Sequence, residues 1–204
     1  MARQLSLDER PSLPKLRNEA AGCKACDLYR NATQVVFGEG AASAEAMFVG
    51  EQPGDQEDVA GRPFVGPAGK LFDEALEDAG VDRTKLYVTN VVKHFKWVGR
   101  GKRRIHQKPN VAEIGACHPW LDVELGNVGA DVLVLLGATA ARAVLGRDLP
   151  IGKNRGRPLP VGDDGRLAVL TYHPSAVLRA DDRAAEIRAA LVEDLRLAAT
   201  LTTR

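Results

Sequence analysis

Four short apolar runs, separated by segments of helical character, constrain the fold more than any other feature of this sequence. The runs cover residues 46–50, 86–92, 132–136 and 167–171. Apolar, β-branched-rich runs of this length favour buried strands. Strands that alternate with helices favour a parallel sheet covered on both faces. We therefore predict an α/β fold, a three-layer αβα sandwich around a central, mainly parallel sheet of four strands.

The intervening segments carry helix signals. Apolar spacing predicts an amphipathic helix over residues 69–79, with Gly80 as its stop. Asn110, with Glu113 three positions later, has the pattern of a capping box. The predicted helices cover residues 13–21, 69–79, 110–125, 139–145 and 181–200. Two basic segments, residues 94–108 and 152–157, are predicted to be loops.

Composition narrows the class of protein. The chain has 204 residues, which favours one domain over residues 1–204. Lysine plus arginine total 28 against 27 acidic residues, which excludes a uniformly basic chromatin-type binder but not a local basic patch. Three cysteines do not form a secreted disulfide framework. No signal peptide or membrane span is apparent, so we expect a soluble cytoplasmic protein.

Polar loops follow three of the predicted strands. The sequence GEQPGDQED follows the first strand, Asn90 lies near the end of the second, and HPSAVLR follows the last. Ligands of parallel α/β sheets bind at the carboxyl ends of the strands. These loops therefore predict a single site at that edge of the sheet.

Several residues of these loops have two interpretations each. Phe64 could stack on a planar ring or belong to the core. Asn90 could offer a donor and an acceptor to a base edge, or cap a turn. Residues 94–108 mix cations with Phe95 and Trp97, which favours phosphate contacts over a solvated charge run. His106 is either a polar contact or, because nearby cations lower its pKa, a neutral nucleophile.

The three cysteines define a candidate metal site. Cys23 and Cys26 form a Cys-x-x-Cys pair, Cys117 lies far along the chain, and His94 is a plausible fourth ligand. The pair alone could be a redox couple or two buried thiols. With two distant ligands it suits a Cys3His zinc site or an iron–sulfur cluster, which spacing does not distinguish.

The motifs taken in order resemble a known family. GEQPG at residues 50–54, then GRPFVGPAGKL, TNVVKHFKW, Cys117 in a helix, and HPSAVLR resemble the family 4 type of uracil-DNA glycosylases, from Cys23 to the last helix. That family holds a [4Fe-4S] cluster with four cysteines, and His94 stands where the fourth is expected. The inserted KRRIH sequence, residues 102–106, is similar to the UdgX branch, whose members become covalently joined to the abasic site they make.

The resemblance implies roles in catalysis. His173 would stabilise the departing uracil anion at O2. His106 would replace water and attack C1′ of the sugar. Glu51 would accept the other imidazole N–H and orient the ring. Asp55 would position a water or the sugar.

The resemblance also implies binding residues and partners. Uracil would stack on Phe64 and pair with Asn90, and the loop from Gln52 to Gly54 would contribute backbone groups. Uracil-containing DNA, single-stranded by preference, would be the covalent partner of a monomeric, nucleoid-associated protein that does not bind membranes. The expected DNA contacts are Lys102, Arg103, Arg104, Ser175 and Arg179, with Leu178 or Arg179 holding the opened stack. Arg104 would anchor either the loop or a phosphate. The expected ligands of the [4Fe-4S] cluster are Cys23, Cys26, His94 and Cys117.

Three functions follow as hypotheses. The first is a glycosylase that ends as a covalent His106–C1′ adduct. The second is a conventional glycosylase that releases uracil over many turnovers and uses the basic loop for affinity. The third is a DNA-binding module with a metal or cluster and no catalysis. Formation of an adduct would support the first hypothesis, and release of free uracil over many cycles would support the second. DNA binding that does not change when uracil replaces thymine would support the third.

Overall fold

The computed structural model describes residues 11–162 and 165–202. Residues 1–10, part of the N-terminal segment considered for targeting, lie outside the described residues. The strands are β1 Ala46–Gly50, β2 Leu86–Asn90, β3 Trp97–Arg100, β4 Arg103–His106, β5 Val132–Leu136, β6 Pro158–Val161 and β7 Arg166–Thr171. The α-helices are α1 Leu13–Ala20, α2 Asp55–Ala60, α3 Pro67–Ala79, α4 Val111–Asn127, α5 Ala138–Leu145, α6 Ile151–Asn154, α7 Pro174–Leu178 and α8 Ala184–Thr200. Short 3-10 turns cover Asp27–Arg30, Arg83–Lys85 and Asp181–Arg183.

The central sheet confirms the α/β prediction and corrects its strand number. Its order is β2-β1-β5-β7-β6, five strands rather than four. The first four in this order run parallel, and β6 pairs antiparallel with β7. The fifth strand contains Pro158 and Pro160, which lack a backbone N–H and are tolerated at a sheet edge. Leu159 and Val161, which alternate with the two prolines along the strand, are buried.

The sheet divides the core into two layers, as alternation along a strand requires. Met47 and Val49 of β1 pack in one apolar cluster with Leu121 of α4. Ala46 and Phe48, on the opposite face of the same strand, pack in a second cluster with α3 and α8. Both faces of the sheet are therefore buried. Within residues 11–162 and 165–202, no helix combines the length and apolarity needed to cross a bilayer.

A β-hairpin replaces most of the long loop predicted at residues 94–108. β3 and β4 pair antiparallel, with Trp97 opposite His106 and Gly99 opposite Arg104. Gly101, at φ 61°, occupies the turn in a left-handed conformation that glycine adopts without strain. The hairpin places His106 at the end of a strand with a defined register, so its position is set by backbone pairing.

The predicted helices are present with shifted ends. Asn110 caps α4 as predicted, since the Glu113 N–H donates to its side chain and the Asn110 N–H donates to Glu113. The basic segment 152–157 begins inside α6, and its Arg155 pairs with the buried Asp194 of α8. Arg155 therefore holds this segment against the last helix.

Candidate active site

The carboxyl ends of β1, β2, β5 and β7 meet around one cavity. Its volume is about 720 Å³. Its lining includes the predicted site residues Glu51, Gln52, Gly54, Asp55, Phe64, Asn90, His106, His173, Ser175 and Arg179. The predicted convergence of the loops on one site therefore holds for these residues. Arg104, Lys102 and Arg103 lie on the neighbouring hairpin, and the cysteines lie elsewhere in the fold.

Asn90 and Phe64 both line the cavity and both pack closely against Gly50. A Cβ atom at this position would lie 2.4 Å from Asn90 Oδ1 and 2.9 Å from Phe64 Cζ, so only glycine leaves room for both side chains. Phe64 is buried and packs against Phe72 at a centroid distance of 5.2 Å, as the core interpretation predicts, and it also lines the cavity. Its φ of 57° is unusual for a bulky residue, and such strain concentrates at functional sites.

Side chains of the loop after β1 make hydrogen bonds to the backbone that the sequence did not predict. Glu57 accepts hydrogen bonds from the N–H groups of Gly54, Val65 and Gly66. The Gly54 N–H, expected to face a ligand, is therefore already engaged. The Gln52 side chain donates to the carbonyls of Lys96 and Gln107 and accepts from the Lys96 N–H. Gln52 thus fastens the base of the hairpin to the cavity wall.

His173 is held as a neutral donor. The Ser175 N–H donates to His173 Nδ1 over 3.1 Å, and Ser175 Oγ lies 2.8 Å from the same nitrogen. Because Nδ1 accepts, the ring proton belongs on Nε2. Burial, with the charges of Arg179 and His106, lowers the pKa of His173 to about 4. At neutral pH the residue therefore presents an N–H without a net charge.

His106 faces Glu51 across the cavity. His106 Nε2 lies 3.6 Å from Glu51 Oε1, beyond hydrogen-bond range but close enough for a direct electrostatic effect. Thr139 Oγ1 donates to the other carboxylate oxygen, Glu51 Oε2, over 2.5 Å. Burial lowers the pKa of His106 below its ordinary 6.5, Arg179 adds to that effect, and Glu51 opposes it. The imidazole is therefore neutral at pH 7.

Arg104 anchors the hairpin to α2. Its guanidinium pairs with Asp55 and with the fully buried Asp58, each at 2.5 Å. The same group lies over the rings of Phe95 and Trp97, at 5.5 and 5.6 Å. Of the two roles expected for Arg104, anchoring the loop and contacting a phosphate, its contacts are those of the loop anchor. Asp55, expected to position a water or the sugar, pairs with Arg104 through Oδ1.

The basic character of residues 93–108 is only partly exposed. Lys93 is 1% exposed, and Lys96 pairs with Glu113. The exposed cations of this segment are Arg100, Lys102, Arg103 and Lys108. Arg100 and Arg103 are paired in the hairpin register, so they extend from the same end of it. These side chains, and not the whole run, form the candidate phosphate-binding surface.

Lys93 belongs to a buried polar network at the end of β2. Its ammonium donates to the Asn90 carbonyl, to Thr89 Oγ1 and to the fully buried Glu124. Glu124 also accepts from the Tyr87 hydroxyl and the Gly38 N–H. The network therefore fixes the end of β2, where Asn90 begins its turn into the cavity.

Replacing Lys93 with methionine should lower the free energy of unfolding by about 3–5 kcal/mol, because Glu124 would remain buried without its counter-charge. Urea denaturation followed by circular dichroism measures this change. The matched double variant Lys93→Met/Glu124→Gln removes the orphan charge and should recover much of the loss. A single variant that loses less than about 1 kcal/mol would contradict the assignment.

The three cysteines share a pattern suited to cluster ligation. Each sulfur accepts an N–H hydrogen bond, from Trp120 Nε1 to Cys23, from Leu28 to Cys26 and from Lys93 to Cys117. The Cys117 thiol also interacts electrostatically with the other two. Hydrogen bonds of this kind stabilise sulfur ligands.

His94 is the weakest member of the predicted ligand set. It is buried, and burial lowers its pKa, so its imidazole is neutral as ligation requires. Across the described ranges, no group of three or more His, Cys, Asp or Glu side chains could hold one metal ion.

Two residues of the site escaped the sequence-based reasoning. Thr139 was assigned only to a helix, and Lys93 was counted only as a cation beside the basic segment 94–108. The sole signal for Thr139 is its place just after an apolar strand, at the edge where ligands bind. The signal for Lys93 is its position three residues after Asn90, within an otherwise apolar stretch.

Comparison with known proteins identifies what this architecture is similar to. The family model of the uracil DNA glycosylase superfamily matches residues 37–196 of this chain. A type-4 uracil-DNA glycosylase of Thermotoga maritima is 39% identical over 175 residues, which span 85% of this chain and 85% of that protein. The type-4 enzyme of Sulfurisphaera tokodaii is 36% identical over 82% of this chain and 76% of its own. That of Archaeoglobus fulgidus is 36% identical over 82% and 83%.

Proposed function

The chain belongs to the uracil DNA glycosylase superfamily, and from that premise we propose that it excises uracil from DNA and is captured covalently at the abasic site. The observation that carries the second part is the position of His106, a neutral imidazole on β4 that lines the same cavity as Phe64, Asn90 and His173. This is the UdgX-type reaction. The conventional alternative ends with water at the sugar and repeated turnover.

Recognition of the base is assigned to Phe64 and Asn90, which both line the cavity. A uracil inside a duplex is inaccessible, so the base enters flipped out or from single-stranded DNA. Its ring stacks on Phe64 and its edge pairs with the amide of Asn90. Cytosine presents an amine where uracil presents a carbonyl, so Asn90 in one orientation accepts uracil and rejects cytosine. The Lys93–Glu124 network holds the backbone of Asn90, through the bond from Lys93 to the Asn90 carbonyl.

Cleavage requires stabilisation of two developing charges. As the C1′–N1 bond breaks, its electron pair leaves with uracil and positive charge grows on the sugar. The Nε2–H of His173 donates to the uracil anion at O2, which neutral His173 does without a proton transfer. The Glu51 carboxylate lies on the sugar side of the cavity and favours the positive charge there.

Capture then completes the reaction at the sugar. The imidazole nitrogen of His106 that does not face Glu51 donates its lone pair to C1′ and forms an N–C1′ bond. The proton on the other nitrogen passes towards Glu51 or solvent, and uracil takes up a proton to become free uracil. No water enters, so the adduct is stable. The Arg104 anchor keeps His106 within reach of C1′.

Binding of DNA around the target is assigned to side chains at the rim. The proposed phosphate contacts are Lys102 and Arg103, which are exposed on the hairpin, and Ser175 and Arg179, which line the other side of the cavity. Leu178 is 53% exposed at the cavity mouth, where it can fill the gap left by the flipped base. We take the chain as one domain that acts as a monomer on cytoplasmic, nucleoid-associated DNA.

The family's [4Fe-4S] cluster would be held by Cys23, Cys26, Cys117 and His94. When bound, it supplies a covalent tie between the N-terminal segment, the end of β2 and α4, and uracil excision needs no electron transfer. The N–H donors to the three sulfurs support this assignment. Blue–violet absorbance of the purified protein supports iron–sulfur, and stoichiometric zinc in a colourless protein contradicts it.

Capture should weaken in acid, because only neutral His106 is a nucleophile. The rate should fall as pH drops through the pKa of His106, which lies below 6.5. Arg179→Gln removes a positive charge that lowers this pKa, so the acidic limb should move to higher pH. Single-turnover capture rates, measured with saturating DNA across a range of pH, give the position of this acidic limb.

Arg103→Gln serves as the control, because it should weaken DNA binding without moving the acidic limb. If the acidic limbs of Arg179→Gln and of the wild type coincide, the assignment is contradicted.

A denaturing gel tests the proposal as a whole. Protein mixed with uracil-containing single-stranded DNA should give a shifted band that survives SDS and heat, and thymine-containing DNA should not. Free uracil released over many cycles, without that band, would establish the conventional alternative. Binding that does not distinguish uracil from thymine, with no uracil released, would establish a non-catalytic module.

A further inference from the structure

We propose that Thr139 is a positioning residue, which holds the Glu51 carboxylate in the orientation that faces His106. The inference rests on the proposed function for its catalytic consequence, and on the contacts of Glu51 for its structure. Thr139 Oγ1 donates to Glu51 Oε2, and Glu51 Oε1 is the atom that lies 3.6 Å from His106 Nε2. The two carboxylate oxygens therefore have separate partners.

The backbone of Glu51 is already fixed. Its carbonyl accepts from the Val92 N–H over 3.0 Å, and the Gly50 carbonyl accepts from the Val91 N–H over 2.9 Å. These bonds continue the pairing between β1 and β2 beyond the ends of the strands. With the backbone held, the remaining freedom of Glu51 is rotation of its side chain, and the described contact that restrains it on the far side from His106 is the Thr139 hydroxyl.

Thr139 stands on an equally firm support. It is buried in the first turn of α5, two positions after Gly137, whose φ is 95°. The Gly137 N–H donates to the Thr171 carbonyl over 3.0 Å, which ties the start of α5 to the end of β7. Thr171 precedes His173 by two residues. Thr139 therefore connects Glu51 to the same framework that carries the uracil-anion donor.

The orientation of the Glu51 carboxylate affects the pKa of His106, which can be measured. Glu51 raises the pKa of His106, and Arg179 lowers it. His173 interacts with His106 from α7, and the Phe95 ring packs beside it at 6.2 Å. If the Glu51 carboxylate rotates away, its opposing effect is lost and the pKa of His106 falls. A change in the orientation of Glu51 can therefore be detected as a decrease in the pKa of His106, in the protein without DNA.

The test compares Thr139→Val with Thr139→Ser. Valine keeps the shape of threonine and removes the hydroxyl, whereas serine keeps the hydroxyl. In Thr139→Val, NMR titration of the imidazole resonances in the DNA-free protein should show a lower His106 pKa. The single-turnover capture rate should fall about tenfold or more, as expected for loss of a hydrogen bond to a charged group. Thr139→Ser should match the wild type in both, and affinity for uracil-containing DNA should change little in either.

The two readouts separate this inference from the proposed function. An unchanged His106 pKa in a folded Thr139→Val variant would overturn the positioning role, whether or not an adduct forms. A wild-type protein that forms no adduct would overturn covalent capture, while the titration would still test the link from Thr139 to Glu51. Equal losses in the valine and serine variants would also overturn the inference, since the hydroxyl would then be irrelevant.

Discussion

We expect that replacing His106 with serine will abolish the SDS-resistant complex with uracil-containing DNA and convert the protein into a glycosylase that turns over. Serine is smaller than histidine and is a weak nucleophile without an adjacent base. The vacated space lets water reach C1′, while Phe64, Asn90 and His173 remain in place to excise the base. The expected change is complete loss of the shifted band, with free uracil accumulating beyond one equivalent per protein.

Arg103→Ser provides the matched control for that experiment. Arg103 lies on the same strand as His106 and is exposed, but it does not line the cavity. Its replacement should weaken DNA binding and leave the covalent band intact at saturating DNA. A His106→Ser protein that still forms the band would remove His106 from the role of nucleophile.

Replacing His173 with alanine should slow excision of uracil by about 100–1000-fold, the cost of one preorganised donor to a developing oxyanion. The rate is best measured as single-turnover release of uracil in the His106→Ser background, where capture does not interfere. Binding of DNA should change little, because the donor acts on charge that develops as the bond breaks.

Ser175→Ala is the control for the His173 prediction. It removes the hydroxyl beside His173 Nδ1 but keeps the backbone N–H that sets the tautomer. Its effect on the excision rate should therefore be much smaller than that of His173→Ala. A decrease below about tenfold for His173→Ala would contradict the assigned oxyanion role.

Local pattern was sufficient for much of the fold. The runs 46–50 and 132–136 match β1 and β5 residue for residue, because five buried apolar residues between turn signals leave few alternatives. β6 was missed because Pro158 and Pro160 argue against a strand, and only its edge position permits them. The hairpin was missed because its cations and two glycines resemble a loop, while its pairing and the Arg104 anchor hold it as strands.

The sequence was sufficient to predict which loops meet at the site. Parallel strands bring their carboxyl ends together, so loops after β1, β2 and β7 had to converge. Side-chain partners were not predictable in this way. Thr139 and Glu51 are 88 positions apart, and Arg104 and Asp58 are 46 apart. Such contacts depend on how α5 and the hairpin pack, which no local pattern encodes.

The intact mass of the wild-type protein after incubation with a uracil-containing single-stranded oligonucleotide tests covalent capture most directly. Our account predicts one new species, whose mass equals protein plus oligonucleotide minus one free uracil, and whose proteolytic fragments place the DNA on His106. Free protein and an abasic oligonucleotide as separate species, with uracil released in excess of the protein, would contradict it.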